Sequence, residues 1–226
     1  MKKIVSLILV FAMSAGLCAC GGEEKSAFNT SKAAYDKVSA AYQITAEFGS
    51  DIYEAWRLGI YEDDEVLSSG AKYLATELSL SETEIKEGIA YVLAVEVYGK
   101  EWDSLSDSEK KEYMNMAAKS SVFRAFEDNL FSFCVMIVSG AYVVNGKAAE
   151  VQTSLDDAKS LMKDLSEKYS DYEHYPNLKG YYTTTKSFFE FCQNPTGSFE
   201  QVKTTINDYK NEARDYISDL DYIFEE

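Results

Sequence analysis

The chain has 226 residues and is strongly acidic, with 22 Lys and Arg residues against 38 Asp and Glu residues and a net charge of −16 at pH 7. Such a charge keeps a protein soluble and repels the phosphates of nucleic acids and of anionic lipid headgroups. The composition therefore argues against nucleic acid as a partner, and against electrostatic docking of the folded chain on an acidic bilayer.

The first 19 residues have the layout of a secretory signal peptide. Two lysines, Lys2 and Lys3, precede an uncharged and mostly apolar stretch, and small residues follow at positions 14–16. The uncharged run from Ile4 to Cys20 has 17 residues, whereas a transmembrane helix needs about 20. We therefore predict that residues 1–19 are a signal peptide that is removed, rather than a membrane span.

The segment Leu17-Cys18-Ala19-Cys20 resembles the lipobox of bacterial lipoproteins, in which an aliphatic residue, a tolerant position and a small residue precede the lipidated cysteine. The resemblance implies that Cys20 receives a diacylglyceryl thioether and becomes the first residue of the mature chain. Cys18 occupies the tolerant position and would leave with the signal peptide. Because two or more acyl chains hold a protein stably on a bilayer, we expect an extracytoplasmic protein that the lipid at Cys20 anchors to the bacterial cell membrane.

The mature chain that follows from this cleavage has 20 basic and 38 acidic side chains, and its net charge is −18. Residues 20–27 comprise the lipidated cysteine and a segment without apolar periodicity, which predicts a short flexible tether. Residues 28–226 show no signal of a domain boundary, and their number suits one domain. We expect a single helical-bundle domain over residues 28–226.

Helical periodicity begins at about Asn29 and continues to about Leu58, with apolar residues on one face and charged residues on the other. A shorter helix with apolar residues at helical spacing follows and ends near Leu78. Ser81 and Glu84 then form a capping-box pattern, which predicts the start of a third helix. The valine-rich end of this helix is also compatible with a strand, but its continuity with the preceding residues favours a buried helix.

A second capping-box pattern, Ser106 with Glu109, predicts the start of the longest helical segment, which continues to about Val144. Residues 130–144 carry no charge and suit either a membrane span or a central core helix. The run is short for a bilayer, which favours the core helix. Asn145-Gly146 predicts the end of this segment, because both residues tolerate the left-handed conformation of a helix C-terminus.

The last two long helices have the clearest patterns. Apolar residues recur in alternating steps of four and three from Val151 to Tyr172 and again from Phe199 to Ile223, which is typical of helices that pack knobs into holes. A shorter helix over residues 177–192 lies between them, and Ser198 with Gln201 caps the final helix. The sequence therefore predicts an all-α fold, an antiparallel bundle of six to seven helices, several of them long.

Two cysteines, Cys134 and Cys192, remain beyond the lipobox. Export to an oxidising compartment would permit a disulfide between them. Each cysteine, however, lies in an aromatic-rich helical segment, where a free thiol packs as a small hydrophobic side chain. We favour two free thiols and keep the disulfide as the alternative.

Residues that could carry chemistry form no recognisable motif. His174, the only histidine, lies in a tyrosine-flanked loop without the partners that a zinc site or nucleophilic catalysis requires. The acidic clusters at residues 62–65 and 156–157 lack the alternating ligands and the central glycine of a calcium loop. The sequence also lacks the nucleophile-elbow, dinucleotide and phosphate-loop motifs. We predict neither a metal site nor a cofactor.

Residues 98–119 resemble the middle of an HMG box, with Trp102, Leu105-Ser106, Glu109-Lys110 and Tyr113 in matching places. HMG boxes bind DNA through a basic surface, whereas residues 96–121 carry four lysines against six acidic residues. We therefore interpret this segment as a capped corner between two helices and do not expect it to bind DNA.

These features favour a membrane-tethered extracytoplasmic lipoprotein with a non-catalytic binding or interaction role, whose small-molecule or protein ligand the sequence does not identify. Two alternatives stay open. One is a carboxylate-based hydrolase that acts on glycans, because 38 acidic residues offer many carboxylate pairs. The other is a protective or inhibitory lipoprotein whose acidic surface binds a basic protein.

Overall fold

The computed structural model describes residues 22–119 and 121–224. This part of the chain contains nine α-helices and no strand, which confirms the predicted all-α fold. A π-helical turn over Leu93–Val97 follows the third helix, and 3₁₀ turns cover Trp102–Ser104 and Glu127–Asn129. The helices are α1 (Gly22–Tyr61), α2 (Asp63–Glu77), α3 (Glu82–Val92), α4 (Asp107–Ala117), α5 (Ser121–Arg124), α6 (Leu130–Val144), α7 (Lys147–Lys168), α8 (Tyr175–Gln193) and α9 (Phe199–Phe224).

The helix count exceeds the predicted six to seven because the segment from Ser106 to Val144 is broken into α4, α5 and α6. Phe126 stacks on Phe133 with 4.0 Å between their ring centroids. In one continuous helix, residues seven positions apart are separated by about 10 Å along the axis and could not stack. The chain therefore turns between α5 and α6 so that both rings are packed together.

Helix α1 has 40 residues and runs alongside most of the other long helices. Helices α6 and α7 lie end to end along α1. As residue numbers rise through α6 and α7, the residues that they contact in α1 have falling numbers. The contacts are Phe48–Tyr142 with 4.2 Å between ring centroids, Glu47–Lys147 at 3.0 Å and Lys37–Asp157 at 2.7 Å. Both helices are therefore antiparallel to α1.

Helices α8 and α9 complete the bundle around α1. Tyr35 and Tyr181 approach with 5.8 Å between their rings, and Gly49 packs against Cys192 further along, so α8 runs parallel to α1. Tyr35 donates a hydrogen bond to Asp221 in α9, and Lys210 donates one to Ser50. Helix α9 is therefore antiparallel to α1, and α1, α7, α8 and α9 alternate in direction as in an up-and-down four-helix bundle.

The buried side chains form two clusters along α1. The small core surrounds the first half of α1 and is built by α1, α7, α8 and α9, with Tyr35, Val38, Tyr181 and Leu220 among its members. The large core surrounds the second half, where α2 to α6 add to the bundle. Helices α2 to α6, which do not belong to the four-helix arrangement, therefore pack mostly at one end of the molecule.

Helices α3 and α6 cross at two glycines, which allow a close approach. A Cβ atom on Gly88 would lie 2.2 Å from the carbonyl oxygen of Ile137, and one on Gly140 would lie 2.9 Å from the carbonyl oxygen of Gly88. Helix α6 belongs to the only stretch of the described residues, Glu127–Val144, that is long and apolar enough to cross a membrane, and half of that stretch is buried. In the fold, α6 packs against both α1 and α3.

The predicted capping boxes at Ser81 and Ser106 are both present, with each serine paired to the glutamate three residues later. Ser198 and Gln201 make the equivalent pair of hydrogen bonds at the start of α9. Gly146 adopts a φ of 83° between α6 and α7, which confirms the predicted end of α6.

Two predicted boundaries differ from the structure. Residues 22–27, which we expected to belong to a flexible tether, form the first turns of α1, and Ala27 is buried in the small core. Helix α7 ends at Lys168 rather than near Tyr172, because Tyr172 lies in the loop before α8 and its hydroxyl hydrogen-bonds to Ser31 in α1.

Candidate functional site: a groove along helix α6

One face of α6 is not covered by other helices and lines a cavity with a volume of about 490 Å³. The exposed face presents Ser132, Met136, Ser139 and Val143, which are spaced by four, three and four residues and so lie along one side of the helix. We call this cavity the α6 groove. Its stripe combines two hydroxyls with two apolar side chains on a helix that carries no charge.

Other walls of the α6 groove come from α3, from the π-helical turn and from the end of α8 with the loop that follows it. Tyr91 lies near the end of α3, Glu96 lies in the π-helical turn, and residues 193–195 connect α8 to α9. π-Helical turns occur often at functional sites, because the extra residue redirects nearby side chains. Burial raises the pKa of the Tyr91 hydroxyl above its ordinary value, so this hydroxyl acts as a neutral hydrogen-bonding group at neutral pH.

Phe48 of α1 also lines the groove and is held in place by an aromatic stack. Its ring lies nearly parallel to that of Tyr142, with 4.2 Å between the centroids and 14° between the planes. The Tyr142 hydroxyl donates a hydrogen bond to Asp51 at 3.0 Å. The position of Phe48 is therefore coupled to a buried polar group on its own helix.

Asp51 is 3% exposed and accepts three hydrogen bonds, which we call the Asp51 network. The donors are the Ser79 backbone N–H at 2.9 Å, the Ser79 hydroxyl at 2.5 Å and the Tyr142 hydroxyl at 3.0 Å. Burial raises the pKa of Asp51, although these hydrogen bonds favour the charged form and limit the rise. The network ties α1 to the loop between α2 and α3 and to α6.

Lys147 completes the surroundings of Tyr142. Its Nζ atom lies 5.0 Å from the centroid of the Tyr142 ring, within the range of a cation–π interaction. The same atom lies 3.0 Å from a carboxylate oxygen of Glu47. Burial by itself would raise the pKa of Glu47, but the hydrogen bonds from Lys147 and Ser79 and the charge of Lys147 together outweigh it and lower the pKa. Glu47 therefore stays ionised and holds Lys147 over the ring.

The lining of the α6 groove is mostly uncharged. Among the described residues that line it, Glu96 is the only charged one. The other side chains are apolar or offer neutral hydroxyl and amide groups, as in many pockets that bind small molecules. Such a lining favours an uncharged ligand with an apolar body and a few polar groups.

The structure describes the two cysteines for which a disulfide was the alternative. Cys134 and Cys192 are both fully buried, and each is a free thiol. Burial raises the pKa of both thiols, that of Cys134 to about 12, so they are unreactive in the folded protein. Cys20, the predicted lipid attachment site, and Cys18 lie outside the described residues.

The other residues with potential chemistry are not brought together. His174 lies in the loop before α8, where its ring meets the ring of Tyr172 edge to face at 5.4 Å. The acidic cluster at residues 62–65 lies at the junction of α1 and α2, and residues 156–157 lie within α7. Within residues 22–119 and 121–224, no three His, Cys, Asp or Glu side chains form a group that could hold a metal ion.

Trp102 lies at a capped corner before α4, as we expected for the segment that resembles an HMG box. Its ring meets Tyr91 at 5.9 Å, and the Nζ atom of Lys110 lies 5.3 Å from its centroid. Trp102 therefore packs behind the groove residue Tyr91.

Sequence analysis did not identify Asp51 or Lys147. A signal for Asp51 was present, because it lies three residues after Phe48 and four before Ala55 and so falls on the buried face of α1. A charged residue on an apolar face is unusual unless it is paired. Lys147 gave no such signal, because its partners come from α1 and α6.

Comparison of the chain with protein-family models, with curated proteins and with solved structures finds no match in any of the three.

Proposed function

We propose that this protein is a lipid-anchored, extracytoplasmic binding protein that holds a small uncharged ligand in the α6 groove. The observation that carries the binding role is the groove itself, a cavity of about 490 Å³ lined mainly by apolar and neutral polar groups. The anchor rests on the resemblance of residues 17–20 to a lipobox, together with the apolar run that precedes them.

The start of α1 supports a fixed relation between anchor and groove. Helix α1 begins at Gly22, two residues after the cysteine that we propose is lipidated. Phe48, which lines the groove, lies 26 residues further along this helix, which corresponds to roughly 40 Å at 1.5 Å per residue. The groove would then face the extracytoplasmic space, well away from the bilayer surface.

The charge of the mature chain supports this arrangement. With a net charge of −18, the folded domain is repelled by anionic headgroups, so the attached lipid has to supply the membrane affinity. The uncharged helix α6 is not required for membrane attachment, because its buried face packs against α1 and α3.

Metabolic labelling with a fatty acid tests the anchor. We expect label in the wild-type protein and in Cys18→Ala, which keeps the aliphatic and small residues of the lipobox. We expect none in Cys20→Ala, because the thioether cannot form. Equal labelling of Cys20→Ala and the wild type would contradict the assignment.

A neutral, environment-sensitive dye tests the groove in the purified domain, residues 20–226. Ser139→Phe should fill the groove and abolish most of the dye's fluorescence gain, since Ser139 lies at its centre on α6. Ser166→Phe, on the exposed face of α7, is the matched control and should leave the signal unchanged. The same loss in both variants, or in neither, would count against the groove as a binding site.

A further inference from the structure

A second cavity, of about 390 Å³, lies between α1 and α9, and the end of α2 contributes to its lining. We call it the α1–α9 cleft. Unlike the lining of the α6 groove, its lining contains several charged side chains. The positive and the negative side chains lie on different walls. The α9 side carries Lys203 and Lys210, whereas the α1 and α2 side carries Asp51, Glu54 and Glu77.

The two lysines share one face of α9, because they are seven residues apart. The Nζ atom of Lys210 donates a hydrogen bond to the Ser50 hydroxyl at 2.6 Å. Lys210 is half-buried, and this burial lowers its pKa. Among the described residues, no carboxylate lies within 4 Å of either lysine, so neither lysine forms an ion pair.

One carboxylate of the acidic wall forms neither an ion pair nor a short hydrogen bond within the described residues. Asp51 is taken up by its three hydrogen bonds, and Glu54 forms an ion pair with Arg57 at 2.5 Å. Glu77, in the last turn of α2, accepts only a 3.3 Å hydrogen bond from the hydroxyl of its neighbour Thr76 in the described structure. Glu77 is therefore the group best placed to receive a positive charge from a ligand.

We propose that the α1–α9 cleft binds a small zwitterion of the α-amino-acid class. Lys203, Asn207 and Lys210 all line the α9 wall, so this wall would take the ligand carboxylate, and the ligand ammonium group would face Glu77 on the opposite wall. A ligand that carries both charges can form charge-assisted hydrogen bonds with both walls of the cavity, and such bonds are stronger than neutral ones. The cavity volume falls within the lower part of the range of small-molecule sites.

Calorimetric titration of the purified domain with a panel of α-amino acids tests this proposal. Each amino acid is paired with its desamino carboxylic acid and with its decarboxylated amine. We expect at least one amino acid to bind, and both analogues to bind about tenfold more weakly or worse, as the loss of one charge-assisted hydrogen bond implies. Failure of every amino acid to bind at millimolar concentration, or equal binding of the analogues, would overturn the proposal.

Three variants assign the two walls. Lys203→Gln should weaken the amino acid and its desamino analogue alike, whereas Glu77→Gln should weaken the amino acid about tenfold and leave the desamino analogue unaffected. Lys159→Gln, on the exposed face of α7, is the matched control and should bind as the wild type does. The groove-filling variant Ser139→Phe should not affect these titrations, so failure of the cleft and failure of the groove are distinguishable.

Discussion

Asp51 shows how a single acidic residue can organise the interior of a helical bundle. Within residues 22–119 and 121–224 it is the one acidic side chain among the buried polar residues, and its three hydrogen bonds connect segments that are far apart in sequence. An isolated buried carboxylate would be strongly unfavourable, but one that accepts several hydrogen bonds is tolerated. We therefore assign Asp51 a structural role, which includes holding Tyr142 against the groove residue Phe48.

The raised pKa of Asp51 predicts a specific pH dependence of stability. Because the folded state binds the Asp51 proton more tightly than the unfolded state does, this residue contributes most stability at low pH. That contribution is lost as the pH rises from the ordinary Asp pKa through the raised one. Asp51→Asn stays neutral and can keep hydrogen bonds to both hydroxyls, since a hydroxyl can also accept.

We therefore expect the free energy of unfolding of Asp51→Asn to rise relative to that of the wild type between pH 4 and pH 7. The slope of the difference should approach, at most, about 1.4 kcal/mol per pH unit. Urea denaturation at several pH values measures it, with Asp208→Asn on the exposed face of α9 as the control. A difference that is constant across this range would show that the folded and unfolded pKa values of Asp51 are the same.

At the level of helices, features that depend on residues close together in the sequence were predicted well, whereas features that depend on long-range packing were not. The starts of α3, α4 and α9 could be predicted because a capping pair lies within four residues of sequence. The break between α5 and α6 could not, because it depends on the stacking of Phe126 against Phe133. The α6 groove was also not predictable, since its walls come from α1, α3, α6, α7 and the end of α8.

The close crossing of α3 and α6 leaves no room for a larger residue at position 88. Gly88→Ala should lower the free energy of unfolding by about 1–3 kcal/mol, because its Cβ atom would collide with the backbone of α6 and α3 would have to move. Thr83→Ala, at an exposed position of the same helix, should change stability by no more than about 0.5 kcal/mol. Urea denaturation of both variants checks this.

If Gly88→Ala is as stable as Thr83→Ala, the two helices do not approach as closely as the structure indicates. Tyr91 and the π-helical turn follow Gly88 directly, so a shift of α3 should also alter the α6 groove. We therefore expect Gly88→Ala to weaken binding of the neutral dye as well.

At the scale of the whole molecule, the two cores differ in their distance from the proposed anchor. The small core surrounds the start of α1 and includes Phe224 at the end of α9, whose ring lies 5.5 Å from that of Phe28. The large core, with the α6 groove beside it, surrounds the other end of α1. A chain that is anchored at Cys20 and repelled by the bilayer should stand with the small core nearest the membrane.

Tryptophan quenching by brominated lipids checks this orientation on anionic vesicles that carry the lipidated protein. Trp56 and Trp102 both belong to the large-core end, so we expect little quenching in the wild type. Tyr222→Trp, at a 76% exposed position near the end of α9, should add a component that is quenched. Strong quenching of the wild-type tryptophans would show instead that the domain lies along the membrane.

The buried state of Cys134 and Cys192 has a practical consequence for work on this protein. Both thiols are inaccessible and hard to ionise in the folded chain, so alkylating reagents should not react with them. A cysteine introduced on the surface, for example at an exposed position of α9, would then be the preferred target for a maleimide. In protein that lacks Cys20 or carries the proposed lipid on it, single-site conjugates with fluorophores or spin labels can therefore be prepared without first removing Cys134 and Cys192.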